Sequence, residues 1–431
     1  MIGGLLALGL GSAMLSGAVL GAALGLTGFA LLHFAVGGAT RLGAQAVWNA
    51  LNEFTLTAVP VFILLGEVLV ASGLSARVYR ALSPVFARLP GGLLHTNIAV
   101  CTVFGAVSGS SMSVAAAVGS VAYPELERRG YDRGRIVGSL AGGGTLGLLI
   151  PPSLSLLIYG ALTDTSVGRL FLAGVLPGLM MAGLFMLWIA LDNFLRDRIG
   201  GREPPVGAAT ALRGLLEIWP LVLLIVAVLG SLFAGLATPT EAAGVGVAAA
   251  ILLGATLGEL TPRRLGQALM ATAQGFGVIA VVFIGAIVLA QAVSLLGLPQ
   301  QLAQSIGAQG FSRLLLLGAV ILLYLLLGCL FDGLSMMIMT LPFVFPLLTG
   351  LGFDAVWLGV VVTLMIEVGM LTPPVGMNLF VLVGITGGVV NLGQAAWASV
   401  PYWLLLLAGV GLLTLFPGIA LFLPNAVMGP T

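Results

Sequence analysis

Two Pro-Pro pairs, each inside a strongly apolar run, are the most informative chemical feature of this chain. Pro151-Pro152 and Pro373-Pro374 lie 222 positions apart. Chance self-similarity is the alternative to a repeat, but aspartates, one of which matches at this spacing, are scarce in this sequence. We therefore predict an internal duplication. At the same spacing, Gly130-Tyr131-Asp132 matches Gly352-Phe353-Asp354, Ser113 matches Ser335, Pro124 matches Pro346 and Gly147 matches Gly369.

Each Pro-Pro pair frees backbone carbonyls that a continuous helix would use. Proline lacks an N–H and its ring clashes with the preceding turn, so the carbonyls just before each pair lose their helical partners. Carbonyls at the C-terminal end of a half-helix suit a weakly hydrated cation such as Na⁺. The alternative is that each pair only kinks its helix. The freed carbonyls lie around Gly147, Leu149 and Ile150 in the first half and around Gly369, Leu371 and Thr372 in the second.

Polar residues within two other apolar runs could complete one Na⁺ site in each half. Ser108, Ser110 and Ser111 interrupt the first run, and Asp332 and Ser335 interrupt the second. An acid at membrane depth is expensive, which favours a functional role for Asp332. We assign Ser108, Ser110 and Asp332 to the cation sites, and Ser111 and Ser335 to a substrate site.

The half-helices that follow the two Pro-Pro pairs direct their N-termini toward the same region. A helix N-terminus favours an anion, such as a substrate carboxylate. Ser153 and Asn378 lie just after the two breaks and are placed to hydrogen-bond that anion. Glu367, six residues before Pro373, serves either structure or coupling.

Composition places these features inside a membrane. The chain is 59% hydrophobic and 7% charged, whereas a soluble domain carries roughly a quarter charged residues. Backbone groups in hydrocarbon must pair internally, and apolar runs such as 219–236 and 402–423 are long enough for spanning helices. We predict an all-α polytopic membrane protein in a lipid bilayer. The sequence contains no nucleotide loop, catalytic triad or clustered metal ligands, so we expect no cofactor, no enzyme activity and no nucleic-acid partner.

Arginine clusters, which mark cytoplasmic loops, set the predicted topology. Only about 35 residues, 91–125, separate the first two clusters, too few for two spans, so we predict a re-entrant hairpin. The second half repeats this hairpin from the outer face, over 314–349, which makes the halves inverted-topology repeats. The clusters are Arg77, Arg80 and Arg88; Arg128, Arg129, Arg133 and Arg135; Arg196, Arg198, Arg202 and Arg213; and Arg263-Arg264.

This topology divides the chain into five parts. Residues 1–90 hold N-terminal spans, scaffold and an inner arm helix, and 91–195 hold the first transport-core repeat. Residues 196–313 hold scaffold spans and an outer arm, 314–390 the second transport-core repeat, and 391–431 a C-terminal span.

Within the scaffold, the residues 1–50 are either one long tilted helix or two short ones. Glu241 is expected in the first turn of a helix that Thr238 or Thr240 caps. The two arms begin alike, at Gly73-Leu74 and Gly297-Leu298. The scaffold spans are expected near 47–72, 215–236, 240–257 and 265–291, and the arms near 74–89 and 298–312.

Several of these segments resemble the large membrane subunit of TRAP (tripartite ATP-independent periplasmic) transporters, over nearly the whole chain. The resemblance implies a Na⁺-driven elevator importer in the bacterial inner membrane, with a small four-helix membrane subunit and a periplasmic substrate-binding protein. The substrates it implies are organic acids, such as C4-dicarboxylates, sialic acid and keto acids. The segments are Ser108–Gly119, Pro124–Tyr131, Gly144–Ser153, Leu236–Ala242 and Gly369–Asn378.

The resemblance also assigns residues to the two Na⁺ regions, with most ligands supplied by backbone oxygens. Many members carry an acid shortly after the first hairpin serines, where this chain has Met112-Ser113-Val114. The chain shows no four extra helices, so we expect the small subunit on a separate chain. The first region falls on Ser108, Gly147, Ile150 and Pro152, and the second on Gly328, Gly369, Thr372 and Val375.

Two other functions stay open at this level. A stand-alone elevator-type Na⁺ or H⁺ carboxylate symporter would share these motifs, and neighbouring genes for a four-helix protein and a secreted binding protein would argue against it. A membrane-embedded enzyme would need a nucleophile with a base, or clustered metal ligands, at membrane depth. The sequence does not name the substrate, because the binding protein would select it.

Overall fold

The computed structural model describes residues 20–52, 54–195, 208–298, 301, 312–329, 331–374 and 376–429, and its elements there are helices. Among these residues, six helical segments are long and apolar enough to cross a membrane, and a bent pair would add a seventh. The predicted all-α polytopic class is confirmed. Val375 of the second predicted Na⁺ region, Arg202 with its neighbours in the third arginine cluster, and most of the outer arm lie outside the described residues.

The scaffold begins with α1 (Leu20–Phe34), α2 (Thr40–Leu51), α3 (Phe54–Ala71) and α4 (Leu74–Phe86). Of the two alternatives for the N-terminal region, two short helices are found in its described part. The span predicted over 47–72 begins too early, because residues 47–51 belong to α2 and α3 starts at Phe54. The inner arm is α4, which buries one face and leaves Arg80 exposed on the other.

The first core repeat is a hairpin followed by a broken helix. The hairpin is formed by α5 (Leu93–Ser108) and α6 (Ser111–Arg128). The broken helix is formed by α7 (Arg133–Leu149) and α8 (Leu154–Thr163), and α9 (Val167–Leu195) follows it.

The scaffold continues with α10 (Ala208–Glu217), α11 (Trp219–Phe233), α12 (Pro239–Leu257) and α13 (Pro262–Leu295). The span predicted over 215–236 is wrong at its start, because the chain starts a new helix with a proline in its first turn, where a missing N–H costs nothing. The predicted role of Glu241 is confirmed. Its carboxylate accepts the N–H and the hydroxyl of Thr238 at 2.8 Å each, and Thr238 caps α12 in return.

The second core repeat has the same order of elements as the first. Its hairpin is α14 (Arg313–Gly328) and α15 (Gly333–Gly350), and its broken helix is α16 (Ala355–Leu371) and α17 (Met377–Ile385). The chain then forms α18 (Leu392–Leu415) and α19 (Gly418–Met428). The single final span predicted over 402–423 is wrong, because the helix ends before Pro417 and a second helix follows.

Helix boundaries of the two core repeats coincide at the spacing of 222. Helices α6 and α15 start at 111 and 333 and end at 128 and 350, a difference of 222 at both ends. Helices α7 and α16 start at 133 and 355 and end at 149 and 371, with the same difference. The N-caps coincide as well. Ser110 and Asp332 each accept the N–H three residues later, and so do Asp132 and Asp354. Because such caps fix where a helix begins, duplicated local sequence explains the duplicated backbone.

The two broken helices run antiparallel to each other. Tyr159 of α8 donates its hydroxyl to the carbonyl of Ala355 at the start of α16, at 2.7 Å. Ser155, four residues before Tyr159, is hydrogen-bonded to Thr363, eight residues after Ala355, at 3.1 Å. An opposed course of this kind is what an inverted-topology repeat requires.

The scaffold repeats at a spacing of 224. Helices α3 and α13 end at Ala71 and Leu295, and Gly73 and Gly297 follow them with φ of 70° and 62°. These helices also run antiparallel. The N–H of Glu259, just before α13, donates to the carbonyl of Ser72, just after α3, at 2.9 Å.

The arginines of α4, α6 and α13 lie at one end of the molecule. Arg80 and Arg129 line the same cavity. Arg77 donates to the carbonyl of Leu257 at 3.3 Å, close to Arg264. This placement fits the prediction that these clusters share one side of the membrane, and which side it is stays a prediction.

Candidate functional site

The first helix break lies against the tip of the first hairpin. The N–H of Leu154, at the start of α8, donates to the carbonyl of Gly109 at 3.3 Å. Gly109 has a φ of 61°, and a Cβ there would lie 2.9 Å from the carbonyl oxygen of Pro152, so glycine is required. A Cβ on Gly147 would lie 3.0 Å from the carbonyl oxygen of Ser110. The predicted cation residues Ser110, Gly147 and Pro152 are therefore brought together.

Ser108 adds an unpaired hydroxyl to the same tip and break, and Ile150 adds a carbonyl without its helical partner. Ser108 is 1% exposed, and its hydroxyl has no hydrogen-bond partner in the described structure. Ile150 has an extended backbone, and the N–H of Leu154 that a continuous helix would offer its carbonyl goes to Gly109 instead. Buried oxygens without partners call for a ligand or an ion. An oxygen-ligated cation such as Na⁺ fits this donor set.

The carbonyl of Leu148 is already satisfied within the first core repeat. Because Pro152 has no N–H to give it, Ser153 and Ser155 donate their hydroxyls instead, the latter at 3.0 Å. Ser153 also caps α8 by accepting the N–H of Leu156 at 3.3 Å. Ser153, predicted to bind the substrate, is thus engaged in its own repeat.

The second break shows the same close approach of backbone to backbone. A Cβ on Gly369 would lie 2.7 Å from the Cα of Gly328, the last residue of α14. Thr372 donates its hydroxyl to the carbonyl of Gly369 at 3.1 Å. Three predicted residues of the second Na⁺ region are therefore in contact. The carbonyl of Leu371 is satisfied from outside the repeat, by the hydroxyl of Ser399 at 3.2 Å.

Asp332 and Ser335 form the cap at the tip of the second hairpin. Asp332 Oδ1 accepts the N–H of Ser335 at 3.0 Å. Ser110 plays the same role at the first tip, with the N–H of Ser113. The structure gives Asp332 a capping role in addition to its predicted cation role. In the described part of the chain, no hydrogen bond joins Ser335 to the other predicted substrate residues.

A buried polar network joins the two repeats between the breaks. Asn378 Nδ2 donates to Ser111 Oγ at 2.6 Å. Ser111 Oγ also lies 3.0 Å from Glu367 Oε2 and 3.1 Å from the carbonyl of Gly144. Ser111 is 1% exposed, and Glu367 and Asn378 are fully buried. Of the four predicted substrate residues, the structure therefore brings Ser111 and Asn378 into direct contact, and it adds Glu367.

Two atoms of this network have no hydrogen-bond partner in the described structure: Glu367 Oε1 and Asn378 Oδ1. Ser111 carries one proton, so it can donate to either Gly144 or Glu367. Both contacts are hydrogen bonds at once only when the Glu367 carboxyl supplies the second proton. The network is thus a set of polar groups with spare hydrogen-bonding capacity, surrounded by apolar helices.

Helix α3 of the scaffold contacts the first hairpin close to the buried polar network. The sequence did not predict this contact. A Cβ on Gly66 of α3 would lie 2.7 Å from the carbonyl oxygen of Ser108. The hydroxyl of Ser113 donates to Glu67 Oε1 at 3.5 Å. An acid from the scaffold therefore approaches the uncharged segment Met112-Ser113-Val114.

Known proteins of one transporter family are similar to this chain over nearly its whole length. A family model described as "Tripartite ATP-independent periplasmic transporter, DctM component" matches residues 8–419. The C4-dicarboxylate TRAP transporter large permease protein DctM of Pseudomonas aeruginosa is 32% identical, over 93% of this chain and 93% of its own. The sialic acid TRAP transporter large permease protein SiaM of Vibrio cholerae is 30% identical, over 90% of each chain.

A solved structure shares the fold. The crystal structure of the Alcanivorax borkumensis YdaH transporter matches with a TM-score of 0.61, covering 90% of this chain and 91% of that chain. The two sequences are 18% identical, so this likeness concerns the fold alone.

Proposed function

Since this chain belongs to the family of DctM components, the large permeases of TRAP transporters, we propose that it imports an organic acid together with Na⁺. It is a multi-pass membrane protein whose relatives are transporter permeases, which are not enzymes. The organic acid is a carboxylate such as a C4-dicarboxylate or a keto acid. The transport core moves against the scaffold as an elevator.

Na⁺ coupling is supported above all by the duplicated contact between a hairpin tip and a Pro-Pro break. In each half, glycines let a tip and a break approach at backbone distance. The prolines remove the N–H groups that would otherwise occupy the carbonyls. Two such sites, one per half, would bind two Na⁺ ions. The orphaned hydroxyl of Ser108 supports the first site in particular.

An organic-acid substrate is supported by the network of Ser111, Asn378 and Glu367. Its amide and hydroxyl groups can donate hydrogen bonds to a carboxylate, and the nearby cation sites would balance the negative charge. Relatives that are similar over most of the chain carry C4-dicarboxylate or sialic acid in their names, and both are organic acids.

Elevator movement is supported by the division of the helices. The two core repeats contact each other through α7 with α16 and through α8 with α15, and we assign α3 and α13 to the scaffold. The contacts of Ser108 with Gly66 and of Ser113 with Glu67 cross between these two bodies. We propose that both contacts break when the core moves.

TRAP large permeases work with a periplasmic binding protein and a small membrane subunit. We propose both as partners of this chain, with the small four-helix subunit on a separate chain, in the bacterial inner membrane. Purified alone, this chain should not transport.

Reconstitution in liposomes tests the proposal. We expect uptake only when the small subunit and the binding protein are both added, with the substrate first identified by a ligand screen on the binding protein. Robust uptake by this chain alone would favour the stand-alone symporter. Chemical conversion of the substrate, without its accumulation, would favour a membrane-embedded enzyme.

A further inference from the structure

A basic cavity of about 510 Å³ lies between the arm helix α4 and the base of the first hairpin. Arg80 of α4 and Glu125, Arg128 and Arg129 of α6 line it. Three arginines and one glutamate give these four residues a net charge of +2. The cavity lies away from both helix breaks and from the network of Ser111, Asn378 and Glu367.

Tyr79, which lines this cavity, carries a buried hydroxyl. The side chain lines the cavity and is 2% exposed, and its hydroxyl oxygen has no hydrogen-bond partner in the described structure. Burial raises the pKa of Tyr79 above its ordinary value, so the phenol keeps its proton and can act as a donor. A buried donor without a partner calls for a ligand.

The arginines retain capacity for an anion. Arg128 and Arg129 share the single carboxylate of Glu125, with Arg129 Nη2 at 2.7 Å from Oε1. Arg128 Nε also donates to the carbonyl of Pro124 at 3.3 Å. A guanidinium has five N–H donors, so Arg128 keeps donors for an anion. Arg80 is exposed and makes no ion pair or hydrogen bond among the described residues.

The surroundings favour a lipid over a water-soluble anion. Pro84, Ala87, Leu93 and Val121 form an apolar wall beside the arginines. The arm itself buries one face against the protein and carries its arginines on the other, as an interfacial helix does. Basic pockets between membrane helices on the cytoplasmic side bind anionic headgroups.

We propose that this cavity binds the phosphate group of an anionic phospholipid. Arg80, Arg128 and Arg129 contact the phosphate oxygens, and the hydroxyl of Tyr79 donates a hydrogen bond to one of them. The acyl chains lie along the apolar wall. Bound in this way, the lipid joins the scaffold arm to the hairpin of the core.

Lipid binding to the purified full chain tests this site by native mass spectrometry. Phosphatidylglycerol and phosphatidylcholine with the same acyl chains are compared, and phosphatidylglycerol is expected to bind more tightly. Arg80→Gln should weaken phosphatidylglycerol binding about fivefold. Tyr79→Phe should weaken it by a similar factor of about five, because it removes one donor. Arg263→Gln is the matched control, since Arg263 is an exposed arginine outside the cavity.

Thermal unfolding of each variant separates a loss of lipid binding from a loss of stability. In phosphatidylcholine, Tyr79→Phe should unfold at the wild-type temperature, because its hydroxyl has no protein partner. In phosphatidylglycerol, the wild type should gain more stability than either Tyr79→Phe or Arg80→Gln.

Three outcomes would overturn the proposal. The two lipids could bind equally well to the wild type. Arg80→Gln and Arg263→Gln could weaken phosphatidylglycerol binding equally, which would indicate diffuse attraction by surface charge. Inorganic phosphate could displace the lipid and stabilise the chain as strongly as the lipid does, which would indicate a site for free phosphate.

Discussion

The two core repeats share one backbone and differ in their polar side chains. Caps, breaks and helix ends coincide at the spacing of 222. Glu367 and Asn378 of the second repeat nevertheless correspond to Thr145 and Leu156 of the first. Ser111, which binds to both, corresponds to Gly333. The duplicated backbone is what a pair of cation sites needs, whereas one asymmetric network suits a single substrate.

The carbonyls around the two breaks also have different hydrogen-bond partners. In the first repeat, Leu148 receives the hydroxyls of Ser153 and Ser155 from the half-helix directly after the break. In the second repeat, Leu371 receives the hydroxyl of Ser399 from α18. The half-helix after the first break thus satisfies a carbonyl of that break, whereas the second break uses Thr372 of its own repeat for Gly369 and Ser399 of α18 for Leu371.

The largest expected difference between the repeats concerns the glycines at the breaks. Gly369→Ala should destabilise the fold and abolish uptake, because its Cβ would meet the backbone of Gly328 at 2.7 Å. Gly147→Ala should cost less, since its Cβ would meet a movable methyl group of Val114 at 2.8 Å and the backbone only at 3.0 Å, at the carbonyl oxygen of Ser110. Overpacking of this kind costs about 1–3 kcal/mol. Thermal unfolding of the purified variants measures the difference.

Gly318→Ala, in the same helix as Gly328, is the control for these glycine variants. A Cβ there would have no neighbour within 4 Å. It should unfold at or above the wild-type temperature, because alanine favours a helix over glycine. Equal stability of Gly369→Ala and Gly318→Ala would contradict the close approach at the second break.

The next prediction concerns the asymmetric network. Asn378→Leu installs the residue that the first repeat has at the matching position and removes the amide donor from Ser111. Losing such a hydrogen bond is worth about 1–3 kcal/mol, so the substrate concentration for half-maximal uptake should rise roughly 5- to 150-fold. The Na⁺ concentration for half-maximal uptake should change little. A shift in Na⁺ dependence with unchanged substrate dependence would remove Asn378 from the substrate site.

The two hairpin tips provide a matched pair of caps. Ser110→Ala and Asp332→Ala should each lose about 1 kcal/mol of stability, because each removes an N-cap. If each also contributes to a Na⁺ site, both should raise the Na⁺ concentration for half-maximal uptake. Asp354→Ala is the control, because Asp354 caps α16 at the end far from the break. If all three variants show the same Na⁺ dependence of uptake, Ser110 and Asp332 act only as helix caps and do not contribute to the Na⁺ sites.

The smallest effect is expected at Thr372. Its hydroxyl donates to the carbonyl of Gly369, and its own carbonyl is the predicted Na⁺ ligand. Thr372→Val keeps that carbonyl and removes one neutral hydrogen bond, worth about 1 kcal/mol. The Na⁺ dependence of uptake should therefore shift less than in Asp332→Ala. A larger shift would make the hydroxyl itself a ligand.

Local sequence predicts the repeated backbone, and long-range packing decides the rest. The Pro-Pro pairs and the capping residues Asp132 and Asp354 are local signals, so the breaks and helix starts follow from the sequence. Ser111 and Glu367 are 256 residues apart, and no local pattern predicts their contact. The contact between Glu67 and Ser113 is equally unpredictable, because neither segment alone shows how the core packs against the scaffold. The apolar run over 402–423 continues past the helix end before Pro417, so hydrophobicity alone did not predict that end.

The most direct test of Na⁺-coupled import is uptake by liposomes that contain this chain, the small subunit and the binding protein. We predict that uptake follows an imposed Na⁺ gradient without ATP, with a sigmoidal dependence on Na⁺ and a Hill coefficient above one. Uptake at full rate with K⁺ or choline in place of Na⁺, and its collapse only when the proton gradient is removed, would contradict the assignment of Na⁺ as the coupling ion.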